Sequence, residues 1–300
     1  MYEIATLKTK KLPELQEIAK KIGVKKTAGL KKLDLIYQIV DLIASKPDEN
    51  TSSKFDSNNE IKDWDNLSDV EVVFNPVPWN LNLIQLESVD EKNKIGYLAF
   101  EANAMPFTNK KYSVAWIENV IDYLDEPGEW CVNTKTRKIY YWPKNGTPSN
   151  NIQAPKLMEL FRVEGKIQYD LPNDIPAKNI NFKGLTFTKG DRSVWYKNRK
   201  GWGIQHDWDT FDYGNALLRF RGAENCKVTE CRFTNSGGSA MRLDLHAQNI
   251  EIKNNYIDYV GHMGILLAGY GPGTKDVNKN NIIENNILHH VGQVIWHGHA

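Results

Sequence analysis

Between residues 201 and 215 the chain reads GWGIQHDWDTFDYGN, which sets Asp207, Asp209 and Asp212 among Trp202, His206, Trp208 and Tyr213. Carboxylates beside aromatic rings suit the hydrolysis of a glycosidic bond. That reaction needs one acid to protonate the leaving oxygen, one carboxylate as nucleophile or base, and a ring face against the C–H surface of a sugar. A further carboxylate follows in AMRLDLHA from Ala240, where strand alternation puts Met241, Leu243 and Leu245 on one face and Arg242, Asp244 and His246 on the other. The reading takes Asp209 and Asp244 as the catalytic pair, with Arg242 and His246 orienting them. Trp202, Asp207, Trp208, His297 and His299 are the expected substrate contacts, and Asp207 is the reserve for the pair. Each aspartate has a structural alternative, because Asp also caps turns.

All seven histidines lie at or beyond His206. With Arg219, Arg221, Arg242 and Asp244, the histidines His246, His297 and His299 form a polar stripe along one face of successive strands, which is either a solvated surface or a site. His297-Gly298-His299 lacks a third ligand of known geometry, so no metal is expected. GYGPGTK at 269–275 lacks the spacing of a phosphate-binding loop and reads as a long loop at a corner; no cofactor is expected. Trp116, Trp130 and Trp142 are expected to pack within β structure.

The elements that must position these residues are visible as a repeat. Asn179 opens NINFKGLTF, Asn225 opens NCKVTECRF, Asn249 opens NIEIKNNYI and Asn280 opens NNIIENNIL, with Gly237, Gly261 and Gly292 trailing the last three at one constant distance. Short β-branched runs repeating at one coil length, with loops inserted, indicate a parallel β-helix. Asn254, Asn255, Asn285 and Asn286 would stack at a corner, where Asn tolerates left-handed geometry. A further strand per coil is legible in ALLRFRG, AMRLDLHA, MGILLAG and VIWHGHA. The last coil is cut at Ala300, so the solenoid reads as incomplete at its C-terminus, with Ile295 and Trp296 inviting end-to-end contact.

Upstream the pattern differs. Leu15, Ile18, Ala19 and Ile22 recur at helical spacing after Pro13 and before Gly23, and Leu35, Ile36, Ile39, Val40 and Ile43 do so before Pro47. The intervening loop is basic, and residues 1–46 hold ten lysines against five acids, a net of +5. The polar stretch 47–68 reads as a flexible linker. The fold class is therefore mainly β: a truncated parallel β-helix (161–300), right-handed as the family resemblance of residues 70–300 implies, with an associated small β domain (69–160), preceded by a small all-α helical module (1–46). The whole chain carries 38 basic and 37 acidic residues, which excludes a uniformly polybasic nucleic-acid binder. Three cysteines cannot form a disulfide framework. The N-terminus lacks a secretory h-region and no window suits a membrane span, so the chain as written reads as cytoplasmic with no membrane partner.

Residues 1–46, through LPELQEIAKKIGVKKTAGLKKLDLIYQIV, resemble the N-terminal helical domain of the transcription termination factor Rho. That resemblance implies contact with single-stranded RNA or DNA through Lys20, Lys21, Lys25, Lys26, Lys31 and Lys32; no Walker motif accompanies it. Residues 70–300 resemble secreted right-handed parallel β-helix glycoside hydrolases of fucosidase and xylanase type. The phrases that carry it are LDEPGEWCVNTKTRKIYYWP, GWGIQHDWDTFDYGNALLRFRG, GGSAMRLDLHAQN and GHMGILLAGYGPGTKDVN. The resemblance implies a polysaccharide or oligosaccharide substrate.

The leading expectation is a β-helix glycoside hydrolase acting on polysaccharide and fused to a Rho-like nucleic-acid-binding module. The alternative is a nucleic-acid-binding, termination-related protein whose β-helix is inactive. A third is a polysaccharide lyase using a calcium-binding Asp and a Lys or Arg base.

Overall fold

The computed structural model describes residues 10–22, 24, 32, 35–36, 39, 54–56, 61–77, 80–100, 102, 114–192, 213–269, 275 and 278–295. Helix α1 (Leu12–Ile22) takes in the periodic run Leu15, Ile18, Ala19 and Ile22 and ends at its last member. Glu14 in its first turn accepts a hydrogen bond from Lys11 N at 2.7 Å, satisfying an amide the helix itself leaves unpaired. Its buried Leu15, Ile18 and Ala19 pack with Leu35, Ile36 and Ile39, which are helical too.

A five-stranded antiparallel sheet follows, formed by β1 (Lys54–Asp56), β2 (Glu71–Val77), β3 (Asn80–Asp90), β4 (Ile95–Leu98) and β5 (Val114–Glu118) in the order β1-β4-β3-β2-β5. The sheet takes in part of the stretch read as linker. Phe55 pairs with Gly96 in β4, and Ile61 is buried in the core with Val70, Val72 and Ile84. A hairpin, β6 (Trp130–Asn133) and β7 (Lys138–Tyr141), is fastened to this sheet by the Asn119 side chain, which accepts from Val132 N at 2.7 Å and donates to Val132 O at 3.0 Å. One expectation is corrected here: Trp130 is 62% exposed and Trp142 43%, because the hairpin turns only its Cys131 side inward. Trp116 is partly buried against Val73, Leu81 and Leu83, as expected.

The rest of the described chain is a parallel β-helix of four coils. The first contains β8 (Phe161–Glu164), β9 (Ala177–Lys178), β10 (Asn181–Lys183) and β11 (Thr186–Thr188). The second contains β12 (Ala216–Glu224), β13 (Lys227–Thr229) and β14 (Arg232–Ser236). The third contains β15 (Ser239–Gln248), β16 (Glu251–Lys253) and β17 (Tyr256–Val260). The fourth contains β18 (Ile265–Ala268), β19 (Asn278–Lys279), β20 (Ile282–Glu284) and β21 (Ile287–His289). Three parallel sheets result: β18-β15-β12-β8 with β19 and β9 at its far end, β10-β13-β16-β20, and β11-β14-β17-β21.

In-register pairing stacks like on like. Phe182, Val228 and Ile252 form one interior column, which ends in the exposed Ile283, and Phe187, Phe233 and Ile257 form another, which ends in the partly buried Leu288, with the rings of Phe187 and Phe233 stacked at 4.6 Å. Each fully buried side chain of this size contributes roughly 1.5–3 kcal/mol. At the expected Asn corner, Asn255 accepts from Cys231 N at 2.9 Å and donates to Val228 O at 3.0 Å and Asn286 Oδ1 at 2.9 Å. Asn254 and Asn285 hold the left-handed turns beside them.

Candidate functional site

The outward face of the long sheet carries two charged rows. Register aligns Arg162, Arg219, Arg242 and Leu266 in one, and Glu164, Arg221, Asp244 and Ala268 in the next. These polar side chains are not a solvated stripe: Arg219, Arg242 and Asp244 are all buried. Asp244 Oδ2 accepts from Arg219 Nη2 at 2.6 Å and Nε at 3.1 Å, from Arg242 Nε at 3.1 Å, and from Tyr213 N at 3.1 Å. Arg242 Nη1 also donates to Asn215 Oδ1 at 3.1 Å. Two guanidiniums on one carboxylate, with a backbone amide closing the set, compensate the desolvation of all three charges.

On the far side of Arg219 stands a second carboxylate. Glu159 Oε1 accepts from Arg162 Nε at 2.5 Å, while its Oε2 lies 3.7 Å from Arg219 Nη1 and, though buried, has no hydrogen-bond partner among the described residues. Arg219 thus sits between two carboxylates, Glu159 and Asp244. The chain passes close to this group at Gly214, where a Cβ would stand 3.0 Å from the Glu159 carboxylate.

His246 takes a different place from Arg242 and Asp244. The register between β12 and β15 shifts after Arg221 and Asp244, and Leu245 adopts φ +59°, a bulge that breaks the alternation. Leu245 is buried, yet outside the interior cluster that Met241 and Leu243 join. His246 consequently faces Glu224, whose Oε1 lies 2.9 Å from Nε2, and Asp174, whose Oδ2 lies 3.6 Å from Nδ1. Asp174 Oδ1 is met by Lys275 Nζ at 2.7 Å and by Gln168 N at 2.8 Å. The hydrogen bond from Lys178, opposed by partial burial and reinforced by His246, holds Glu224 below the usual carboxylate range.

The structure therefore brings Asp244 and Arg242 together and sets His246 beside them in a second polar group. Asp209, Asp207, Trp202, Trp208, His297 and His299 lie outside the described residues, as do Lys25, Lys26 and Lys31. Lys20, Lys21 and Lys32 are exposed. Glu159, Asp174 and Lys275 escaped the sequence reading because none sits on a periodic position. The signal that was available for Glu159 is its place two residues before Phe161, the start of a strand in register with Leu218.

Among the described residues no group of His, Cys, Asp and Glu is arranged to hold a metal ion. No described helix is long and apolar enough to cross a membrane. Residues 6–47 match the family model of the Rho termination factor N-terminal domain, residues 100–144 that of the GH141 insertion domain, and residues 175–299 that of the right handed beta helix region. No curated protein and no solved structure matches the chain.

Proposed function

We propose that the β-helix is a glycoside hydrolase acting on a polysaccharide, with its reaction centre on the outward face of the long sheet. The observation that carries the reading is Arg219 set between Glu159 and Asp244 beneath Tyr213, the end of the aromatic and acidic segment 201–214. The reaction requires a pair of carboxylates, and Arg219 links two of them on this face. In this reading Asp244 serves as nucleophile or base, oriented by Arg219 and Arg242, and Asp209 or Glu159 protonates the leaving oxygen. The match of residues 100–144 to an insertion domain named for a glycoside hydrolase family supports the substrate class.

The test is digestion of a polysaccharide panel in heavy-oxygen water. Hydrolysis places the label in the new reducing ends. A lyase would instead leave unsaturated ends without label, and that outcome would overturn the reading.

The helical module is proposed to bind single-stranded RNA or DNA. Its match to the Rho N-terminal domain and its exposed Lys20, Lys21 and Lys32 support this. Without turnover on any glycan, binding by this module would be the protein's working activity and the β-helix its inert partner.

A further inference from the structure

Each coil of the solenoid turns at three corners, and at each corner one residue adopts left-handed backbone. The first corner holds Asn179, Asn225, Asn249 and Asn280; the second holds Gly184, Glu230, Asn254 and Asn285. Asn and Gly enter that conformation at least cost. Glu230 departs from this at the second corner, and the third departs from it most, with Lys189, Tyr259 and His290 beside Asn235 at φ 61°, 51°, 51° and 49°. A bulky side chain held in this region is a strain that persists where something else requires the residue.

The Tyr259 ring is held in place by its neighbours. It stacks on His290 with centroids 4.6 Å apart and planes 21° from parallel. His290 Nδ1 lies 2.7 Å from His289 Nδ1, and His289 Nε2 lies 2.7 Å from the Tyr256 hydroxyl. Tyr259 remains 46% exposed. It borders a groove of about 310 Å³ between the 153–155 segment and the third corner, lined also by Gln153, Lys189, Asn235 and Ser236. None of the residues lining it is acidic, and Lys189 is its cation. The groove shares no residue with the Asp244 cluster.

A flat ring, two amide side chains and one cation bordering one open depression fit a sugar that carries a carboxylate. We propose that this groove is a second glycan-binding site, which takes an acidic sugar residue with its carboxylate at Lys189, its hydroxyls at Gln153 and Asn235, and its C–H face on Tyr259. The proposal rests on the reading of the protein as glycan-acting and adds the class of sugar recognised away from the reaction centre.

Titration calorimetry of the full chain with a galacturonic acid trimer and a neutral galactose trimer tests it. The acidic trimer should bind, and the neutral one about tenfold more weakly. Tyr259→Asn keeps a residue suited to the left-handed turn while removing the ring, and should weaken binding by about tenfold. Lys189→Gln should level the two trimers. Absence of binding by the unaltered chain, equal binding of both trimers, undiminished binding by Tyr259→Asn, or an acidic preference that survives Lys189→Gln would each overturn the proposal. Titration reads binding without turnover, so its outcome stands apart from whether any glycoside is hydrolysed.

Discussion

Lys275 Nζ lies 2.7 Å from Asp174 Oδ1 and joins a loop of the first coil to a loop of the fourth across the two coils between them. The same ammonium donates to Gln168 O at 2.5 Å, and both partners of the ion pair are buried. Residues 165–176 interrupt the long sheet between β8 and β9, and Lys275 falls in the chain between β18 and β19, at the level where β15 bulges. The pair thus ties Lys275 to the carboxylate that also faces His246, 3.6 Å from its Nδ1.

Lys275→Met should therefore destabilise the fold by about 3 kcal/mol, since it strands a buried carboxylate. Guanidinium unfolding measures the loss, and limited proteolysis should show new cleavage within 165–176. An unchanged unfolding midpoint would contradict this account of the tie.

Asp244→Asn should also destabilise, by roughly 3 kcal/mol, although it conserves size. Strand alternation alone suggests a harmless change at a face residue. The structure buries Asp244 with Arg219 and Arg242, whose charges the amide would leave uncompensated. Thermal unfolding of the two proteins checks the difference.

The sequence made the solenoid legible because its cause is local. Asn179, Asn225, Asn249 and Asn280 recur where a left-handed turn is needed, and the interior columns follow from them. Asp244 and Arg242 were legible for the same reason, being on one strand at alternating positions. His246 was misplaced because nothing in AMRLDLHA announces a bulge at Leu245. Asp174 and Lys275 were invisible because each is the other's partner across 101 residues, Glu159 because the Arg219 it faces is distant although Arg162 is near, and Trp130 was misjudged because ring size argues for burial unless the hairpin's inward face is known.

Asn255→Ala should cost about 2 kcal/mol. It removes a buried side chain that accepts from Cys231 N and donates to Val228 O and Asn286. Urea denaturation should show a lower midpoint with an unchanged slope.

Stability should fall as the solution is acidified through the carboxylate range. Glu224 is held below its usual value chiefly by the hydrogen bond from Lys178. For Asp258, burial acts to raise the value and is outweighed by Thr234, Arg232 and, least, His289. A carboxylate depressed in the folded state stabilises above its unfolded pKa, and that contribution is lost as pH falls through the folded value. Lys178→Met should flatten the acid limb of the stability profile; an identical limb would count against the assignment.

Residues 1–46 should bind a single-stranded oligonucleotide weakly at low ionic strength and lose it as salt rises, because Lys20, Lys21 and Lys32 offer charge without a stacking platform. Fluorescence anisotropy across a salt series on the full chain measures this. Binding that ignores salt would contradict it.

The central claim is tested most directly by rates on a panel of aryl fucosides, xylosides and galactosides, comparing the full chain with Glu159→Gln and Asp244→Asn, each shown by circular dichroism to be folded at the assay temperature. The account predicts turnover of at least one glycoside by the unaltered chain and a loss of about a hundredfold or more in both variants. Equal rates in all three proteins, or no turnover by the unaltered chain, would contradict it.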